Sequence, residues 1–302
     1  MLVIPSLLGY IPRQQFASIG DLPLESGATI RDAVVGYRTA GRLDAQRSNA
    51  VLVTTWYQGT TSRLAWQIGP GKLVDPGKYF VILVDALANG VSSSPSNSRL
   101  QPGAAFPAVT IGDMVESQYR LVADALGLTH LHAVVGVSMG GMQVFQWLSA
   151  HPDFVDKGVA IVGTPQSQTD DRARWEQGAA WLRTPRTTRV RTALAQLKPR
   201  TALNELLVQP EDHIRQGNAI ATFDITPAHG GSLERAAAAM RSKLLVASTW
   251  ADREVNPKPA FEFAALMGAD VLELDGRCGH QAPSCDRATL WPAVARFLER
   301  NR

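Results

Sequence analysis

No apolar run in the chain reaches the roughly 18 residues that suggest a membrane-spanning helix, so a membrane partner is not expected. The opening stretch MLVIPSLLGYIPRQQF is apolar but lacks a basic segment ahead of it and is broken by Pro5, Gly9 and Pro12. That pattern is a poor match to a secretory leader. Cysteine is scarce: Cys278 and Cys285 are the only two, and in a chain read without a leader they are expected as free thiols. The expected address is cytoplasmic. Basic residues barely exceed acidic ones, 30 to 27, without the strong, clustered excess of a nucleic-acid-binding surface, which argues against a nucleic-acid partner. The six histidines are dispersed, with no H-E-x-x-H and no paired-cysteine spacing, so no metal is expected. Internal repeats and low-complexity tracts are also lacking.

What the chain has is a large apolar inventory, 45% of 302 residues with 19% charged, enough for a sizeable core. Short apolar runs recur at wide spacing: AVLVTT (50–55), YFVILVD (79–85), LHAVVGV (131–137), GVAIVG (158–163), KLLVAS (243–248) and DVLELD (270–275). They do not alternate polar with apolar, as is usual for strands buried on both faces of a parallel sheet. Helical stretches separate them at 112–127, 141–151, 259–268 and 287–300. This order predicts an α/β fold with a mostly parallel, doubly wound sheet, opened by an antiparallel edge strand within RDAVVGYRTAGRLDAQRSNAVLV. The rhythm lapses between residues 166 and 241, a segment rich in Arg, Ala and Gln. We read it as a helical lid inserted into a core of residues 1–165 and 242–302. Six of its arginines (Arg172, Arg174, Arg183, Arg186, Arg189 and Arg191) invite an anionic ligand, but a solvated helical face explains most of them more simply.

The chemistry concentrates in GVSMG, residues 136–140, between the strand LHAVVGV and the helix GMQVFQWLSA. The G-x-S-x-G pattern in this setting is a nucleophile elbow. A serine hydroxyl needs a base on one side and a substrate carbonyl on the other, and the helix that follows aims amide donors at the charge developing on that carbonyl. Ser138 is the expected nucleophile; a glycine-bordered turn with an incidental serine is the alternative.

A base should follow the last strand, and of the six histidines only His280, in LDGRCGHQAP, is so placed. His130, His132 and His151 are expected to be structural, while His213 and His229 fall in the insertion. The acid should follow the preceding strand. KLLVASTWADREV offers Asp252 first and Glu254 two residues on; Asp275 and Asp286 are weaker rivals. Oxyanion donors are expected at the Met139 amide and, from the loop VLVTTWYQGT, at the Tyr57 amide.

With these residues in view, the chain resembles the homoserine O-acetyltransferase group of α/β-hydrolase-fold enzymes. The resemblance rests on GYRTAGRLDAQRSNAVLV, FPAVTIGDMVESQYRLVADALGL, VGVSMGGMQVFQW, LLVASTWADREV with the later GH, and FDITPAHGGSLERAAAAMRSK. It implies Ser138, Asp252 and His280 as a catalytic triad with Tyr57 and Met139 as oxyanion amides. Three features depart from the homoserine enzymes: Gln281 stands where they carry Asp, Gly112 where they carry Arg, and the insertion is shorter. The expected function is therefore a cofactor-free serine acyl hydrolase, an esterase, acting on a small ester through an acyl-enzyme. The alternative is an acyltransferase using acetyl-CoA as co-substrate, and a third reading is a non-catalytic ligand receptor. A homodimer is the expected assembly.

Overall fold

All six apolar runs form strands. The computed structural model describes residues 12–300 apart from 197 and 199–206, so the apolar start read above falls mostly outside the described residues. One eight-stranded sheet has the order β1-β2-β4-β3-β5-β6-β7-β8. β1 (Gln15–Pro23) pairs antiparallel with β2 (Thr29–Ala40), and β2 antiparallel with β4 (Phe80–Val84). From there the sheet is parallel through β3 (Ala50–Thr54), β5 (Leu131–Val137), β6 (Val155–Ile161), β7 (Lys243–Ser248) and β8 (Asp270–Glu273). The antiparallel start is longer than the sequence suggests. β1 escapes notice because its side chains alternate between half-buried and exposed and its text carries little β-branched character.

The central strands feed two cores. Leu52, Ile82, Val134 and Val246 pack on one face, while Val51, Val53, Leu83, Val135 and Ile161 pack on the other. Their neighbours are helices, so both strand faces must be apolar, which is why these runs do not alternate. The first face is covered by α1 (Ile111–Arg120), α2 (Met139–Ala150) and a later helix contributing Phe263; the second by the last helix, through Leu290, Val294 and Phe297. Thr110 caps α1: its side chain accepts from the Asp113 amide, and the Asp113 carboxylate accepts from the Thr110 amide, a reciprocal capping box.

Between β6 and β7 the chain forms α3 (Thr169–Arg183), α4 (Arg186–Ala195), α5 (Pro210–Ala221) and α6 (Leu233–Ala239). Two final helices, α7 (Lys258–Met267) and α8 (Arg287–Glu299), follow β7 and β8. The sheet order reverses beside β3: β4 lies on one side of it and β5 on the other. The carboxyl ends of β3 and β5 meet at the Thr54–Gly136 pair. Such a switch point opens a crevice in which doubly wound sheets bind ligands.

The two cysteines are joined in a disulfide, Cys278–Cys285, which corrects the expectation of free thiols. The helical turns at Gly276–Gln281 and Ala282–Cys285 fold the intervening residues back and bring the sulfurs together.

Candidate active site

Ser138 sits between β5 and α2 with φ 58° and ψ −122°, a conformation that L-residues adopt at a cost and that marks strained functional turns. Close packing holds it there. A Cβ on Gly136 would lie 2.1 Å from the Gly140 carbonyl oxygen, and one on Gly140 would lie 2.8 Å from the Thr54 carbonyl oxygen. The glycines flanking Ser138 thus let strand and helix approach to a distance no side chain permits. The Ser138 amide donates to the Ile161 carbonyl at 2.8 Å, which anchors the turn to β6.

His280 reaches this serine from the far end of the sequence. Its Nε2 lies 2.8 Å from Ser138 Oγ and its Nδ1 lies 2.7 Å from Asp252 Oδ2. Asp252 is buried, and its other oxygen, Oδ1, accepts from the amides of Glu254 (2.8 Å) and Val255 (3.0 Å). One carboxylate oxygen is therefore fixed by backbone and the second is left for the imidazole. Of the rival acids, Asp275 accepts from Arg277 at the surface and Asp286 lies beyond the histidine at the start of α8.

The donor side is partly built. Met139 is the first residue of α2, so its amide has no intrahelical partner. The loop after β3 makes a tight turn in which the Gly59 amide donates to the Trp56 carbonyl at 2.8 Å, with Tyr57 and Gln58 at its corner. Behind that loop runs a buried chain of side-chain bonds: Trp147 Nε1 donates to Gln118 Oε1 (2.8 Å), Gln118 donates to Gln143, and Gln143 Nε2 donates to the Thr55 carbonyl (3.0 Å). Gln143 belongs to the SMGGMQ stretch, and this chain ties α1 and α2 to the strand that carries the loop. In front, Asp85 accepts from the Thr61 amide at 2.8 Å and from Asn89 at 3.0 Å. Burial pushes the Asp85 carboxyl up from its ordinary value although these donors pull it down.

Ser138, His280 and Tyr57 line a cavity of about 420 Å³ whose walls include Trp56, Trp66 and Trp175. The Tyr57 and Trp175 rings meet edge to face at 4.8 Å, so α3 overhangs the site. Burial pushes the Tyr57 phenol far above its ordinary value; it stays protonated, with its oxygen 3.1 Å from His213 Nδ1. The carboxylate of Glu254 is the acidic member of the lining. None of the six arginines singled out in the insertion lines this cavity. Five of them are exposed. Arg189 is buried instead, donating to the Leu182 carbonyl at 2.9 Å and to that of Thr184, which satisfies carbonyls at the end of α3.

The other histidines lie elsewhere. His130 pairs with Asp156 at 2.9 Å, His132 Nε2 lies 2.8 Å from the Leu298 carbonyl, and His229 Nε2 lies 2.8 Å from Ser149 Oγ. His151 stacks on Tyr119 with centroids 4.1 Å apart. Among the described residues no group of three His, Cys, Asp or Glu could hold a metal ion. No helix among them is long and apolar enough to cross a membrane.

A sequence family described as the α/β-hydrolase fold matches residues 52–197, and a solved acetylester hydrolase from Corynebacterium glutamicum superposes with a TM-score of 0.82 over 95% of each chain at 26% identity. This chain is an α/β-hydrolase-fold protein. It is 40% identical over 159 residues to an ethyl acetate hydrolase of Pseudomonas veronii, covering 52% of this chain and 46% of that one. A homoserine O-acetyltransferase of Methanosalsum zhilinae is 34% identical over 178 residues, covering 53% of this chain and 36% of that one. In both relatives the match spans less than half of their own length. The α/β-hydrolase fold is what the elbow and the strand order predict, and relatives named as homoserine acyltransferases are what the resemblance implies.

Sequence reasoning missed two groups beside the site. Gln216 on α5 is fully buried against Gln58, and the Cys278–Cys285 bridge encloses His280. Gln216 left no signal, because a glutamine in a polar helical stretch is ordinarily solvated. The cysteine spacing was visible, and the inferred compartment outweighed it.

Proposed function

We propose that this protein is a cofactor-free serine esterase acting on small neutral esters through an acyl-enzyme. The observation that carries the reading is the unbroken relay from Ser138 Oγ through both nitrogens of His280 to Asp252, at 2.8 Å and 2.7 Å, opening on a cavity with indole walls. Ser138 Oγ attacks the acyl carbon while His280 Nε2 takes its proton, and Asp252 stabilises the imidazolium. The carbonyl oxygen, now an oxyanion, rests on the amides of Met139 and Tyr57. Collapse breaks the bond to the alkoxy group, which leaves with the proton from His280. Water then attacks the acyl-enzyme by the same relay and releases the carboxylic acid.

Small neutral esters fit because the lining is mostly aromatic and apolar and holds no lysine or arginine. The names of the hydrolase relatives point the same way. Transfer from acetyl-CoA to an alcohol uses the same acyl-enzyme and is the second reading, favoured by the acyltransferase relative. The cytoplasmic address remains part of the proposal, although an exposed disulfide removes the support lent by free thiols and suits an oxidising compartment. A homodimer is part of the same proposal.

Intact mass after incubation with an activated acetyl ester, and separately with acetyl-CoA, decides between these readings for wild type and Ser138→Ala. A Ser138-dependent acetyl adduct or turnover from the ester alone supports the esterase. A Ser138-dependent adduct from acetyl-CoA supports the transferase. No adduct and no turnover from either leaves a ligand receptor.

A further inference from the structure

The turn that would offer the Tyr57 amide is in a conformation its own residues do not favour. Its third residue, Gln58, has φ +53°, a value that glycine or asparagine usually supplies at this place in a turn. Left to itself, a non-glycine residue there prefers negative φ, which flips the central peptide. Something outside the turn must therefore hold it.

That group is Gln216. It lies on α5 and is fully buried. Its Oε1 accepts from the Gln58 amide at 2.7 Å and from Gln58 Nε2 at 3.0 Å, while its Nε2 donates to the Leu87 carbonyl at 2.8 Å. Gln58 Nε2 also donates to the Ala88 carbonyl at 3.2 Å. One amide side chain thus grips the central peptide of the turn and the backbone after β4 together. The helix behind it is anchored one turn earlier, where buried Asp212 accepts from the Ser96 amide at 2.9 Å and from its hydroxyl. His213, between the two, meets the Tyr57 phenol. The Gln58 amide is committed to Gln216, so the donor this loop can offer an oxyanion is the Tyr57 amide.

We propose that Gln216 is a positioning residue for the oxyanion site: by fixing the central peptide of the Trp56–Gly59 turn in its strained form it restrains the neighbouring Trp56–Tyr57 peptide, whose Tyr57 amide then keeps its place beside the carbonyl held by Ser138. This rests on the esterase reading above and extends it to α5, which becomes a fixed part of the site. Gln216 touches no reacting atom. Its effect belongs to the transition state, where the oxyanion exists, more than to the bound ester.

Two variants test this. Gln216→Leu removes the bonds to Gln58 and Leu87; Gln216→Glu, fully buried and therefore held as the neutral acid, keeps an oxygen to accept the Gln58 amide and an O–H to donate to the Leu87 carbonyl. Ester turnover by Gln216→Leu should fall about a hundredfold in kcat, as loss of one oxyanion donor does, with KM within about twofold. Affinity for a trifluoromethyl ketone, which adds to Ser138 to give an oxyanion, should fall by a similar factor. Gln216→Glu should recover most of both. Hydrogen exchange at the Gln58 amide reads the same contact without turnover: slow in wild type and Gln216→Glu, fast in Gln216→Leu. A folded Gln216→Leu with fast Gln58 exchange but unchanged kcat overturns the proposal. So does a Gln216→Glu protein as impaired as Gln216→Leu, or a rise in KM that accounts for the whole loss. If wild type turns over no ester, the esterase reading fails instead, and the exchange comparison still decides whether Gln216 holds the turn.

Discussion

Cys278 and Cys285 are bonded to each other, and His280 lies inside the short loop they close. The imidazole approaches Ser138 from a short helical turn, and Gly279 just before it has φ +52°. The bridge restrains that turn. On chain entropy a loop this short contributes only about 2–3 kcal/mol to stability, so its removal should be felt locally before it is felt globally. Cys285 is exposed and open to a thiol reductant. Treatment with dithiothreitol should lower kcat several-fold with the fold intact by circular dichroism, and a Cys278→Ala, Cys285→Ala double variant should start at the lowered rate and ignore the reductant. Equal rates for all four samples would show that the bridge does not hold His280.

Asp252 has one oxygen on the imidazole and the other on two backbone amides. In Asp252→Asn the amide group cannot stabilise an imidazolium, and its NH2 presented to Nδ1 would favour the tautomer with the proton on Nε2. That proton faces Ser138, so the base is lost. The loss in kcat should approach about 10⁴-fold, with KM little changed and Tm within a few degrees. A loss below tenfold would mean that another carboxylate serves His280.

Gly136 is needed for contact distance alone, since a Cβ there would meet the Gly140 carbonyl oxygen at 2.1 Å and Thr54 Oγ1 at 2.4 Å. Both atoms are held in the tightest part of the fold and cannot withdraw. Gly136→Ala should cost about 3 kcal/mol or more and misplace Ser138. Gly178, whose added Cβ would meet nothing, supplies the control: Gly178→Ala should be neutral or slightly stabilising in its helix. Thermal melts of the two variants check the contrast.

The elbow was legible because its chemistry is written in five consecutive residues, and the sheet because buried strands lose their alternation. His280 and Asp252 could be read from their order after β7 and β8, which the fold fixes. Gln216 was not legible, since its role depends on a helix from the insertion landing on a turn 158 residues away. Arg189 misled for a related reason: five neighbouring arginines are solvated, and nothing in the text shows that one folds back onto the end of its preceding helix. β1 was missed because an edge strand with a half-exposed face lacks the apolar run that revealed the others.

His151 is half-buried against Tyr119 and Trp147. Burial pulls its pKa below the ordinary histidine value, against the opposing pull of Glu116. The folded protein therefore binds this proton less readily than the unfolded chain. Its contribution to stability is fully present above the unfolded value, near 6.5, and is lost as pH falls below it. Tm should drop between pH 7.5 and pH 5.5, and His151→Phe should flatten that part of the profile. An unchanged slope in the variant would assign the loss to other groups.

Glu254 supplies the carboxylate in a cavity whose lining holds no lysine or arginine. The field it sets up acts on any charge carried by the substrate, attracting cations and opposing anions. An acetyl ester should therefore be turned over faster than the corresponding half-ester of a dicarboxylic acid, and Glu254→Gln should narrow that gap by roughly threefold to tenfold by relieving the anionic substrate. Glu254 is exposed, and exposed charges interact weakly and are screened by salt. The same narrowing should then appear in wild type when ionic strength is raised to about 1 M, where the screening length falls to about 3 Å. The neutral ester should respond to neither change. If the half-ester gains nothing from Glu254→Gln, its slower turnover is steric, and the indole walls rather than the carboxylate set the choice of acyl group.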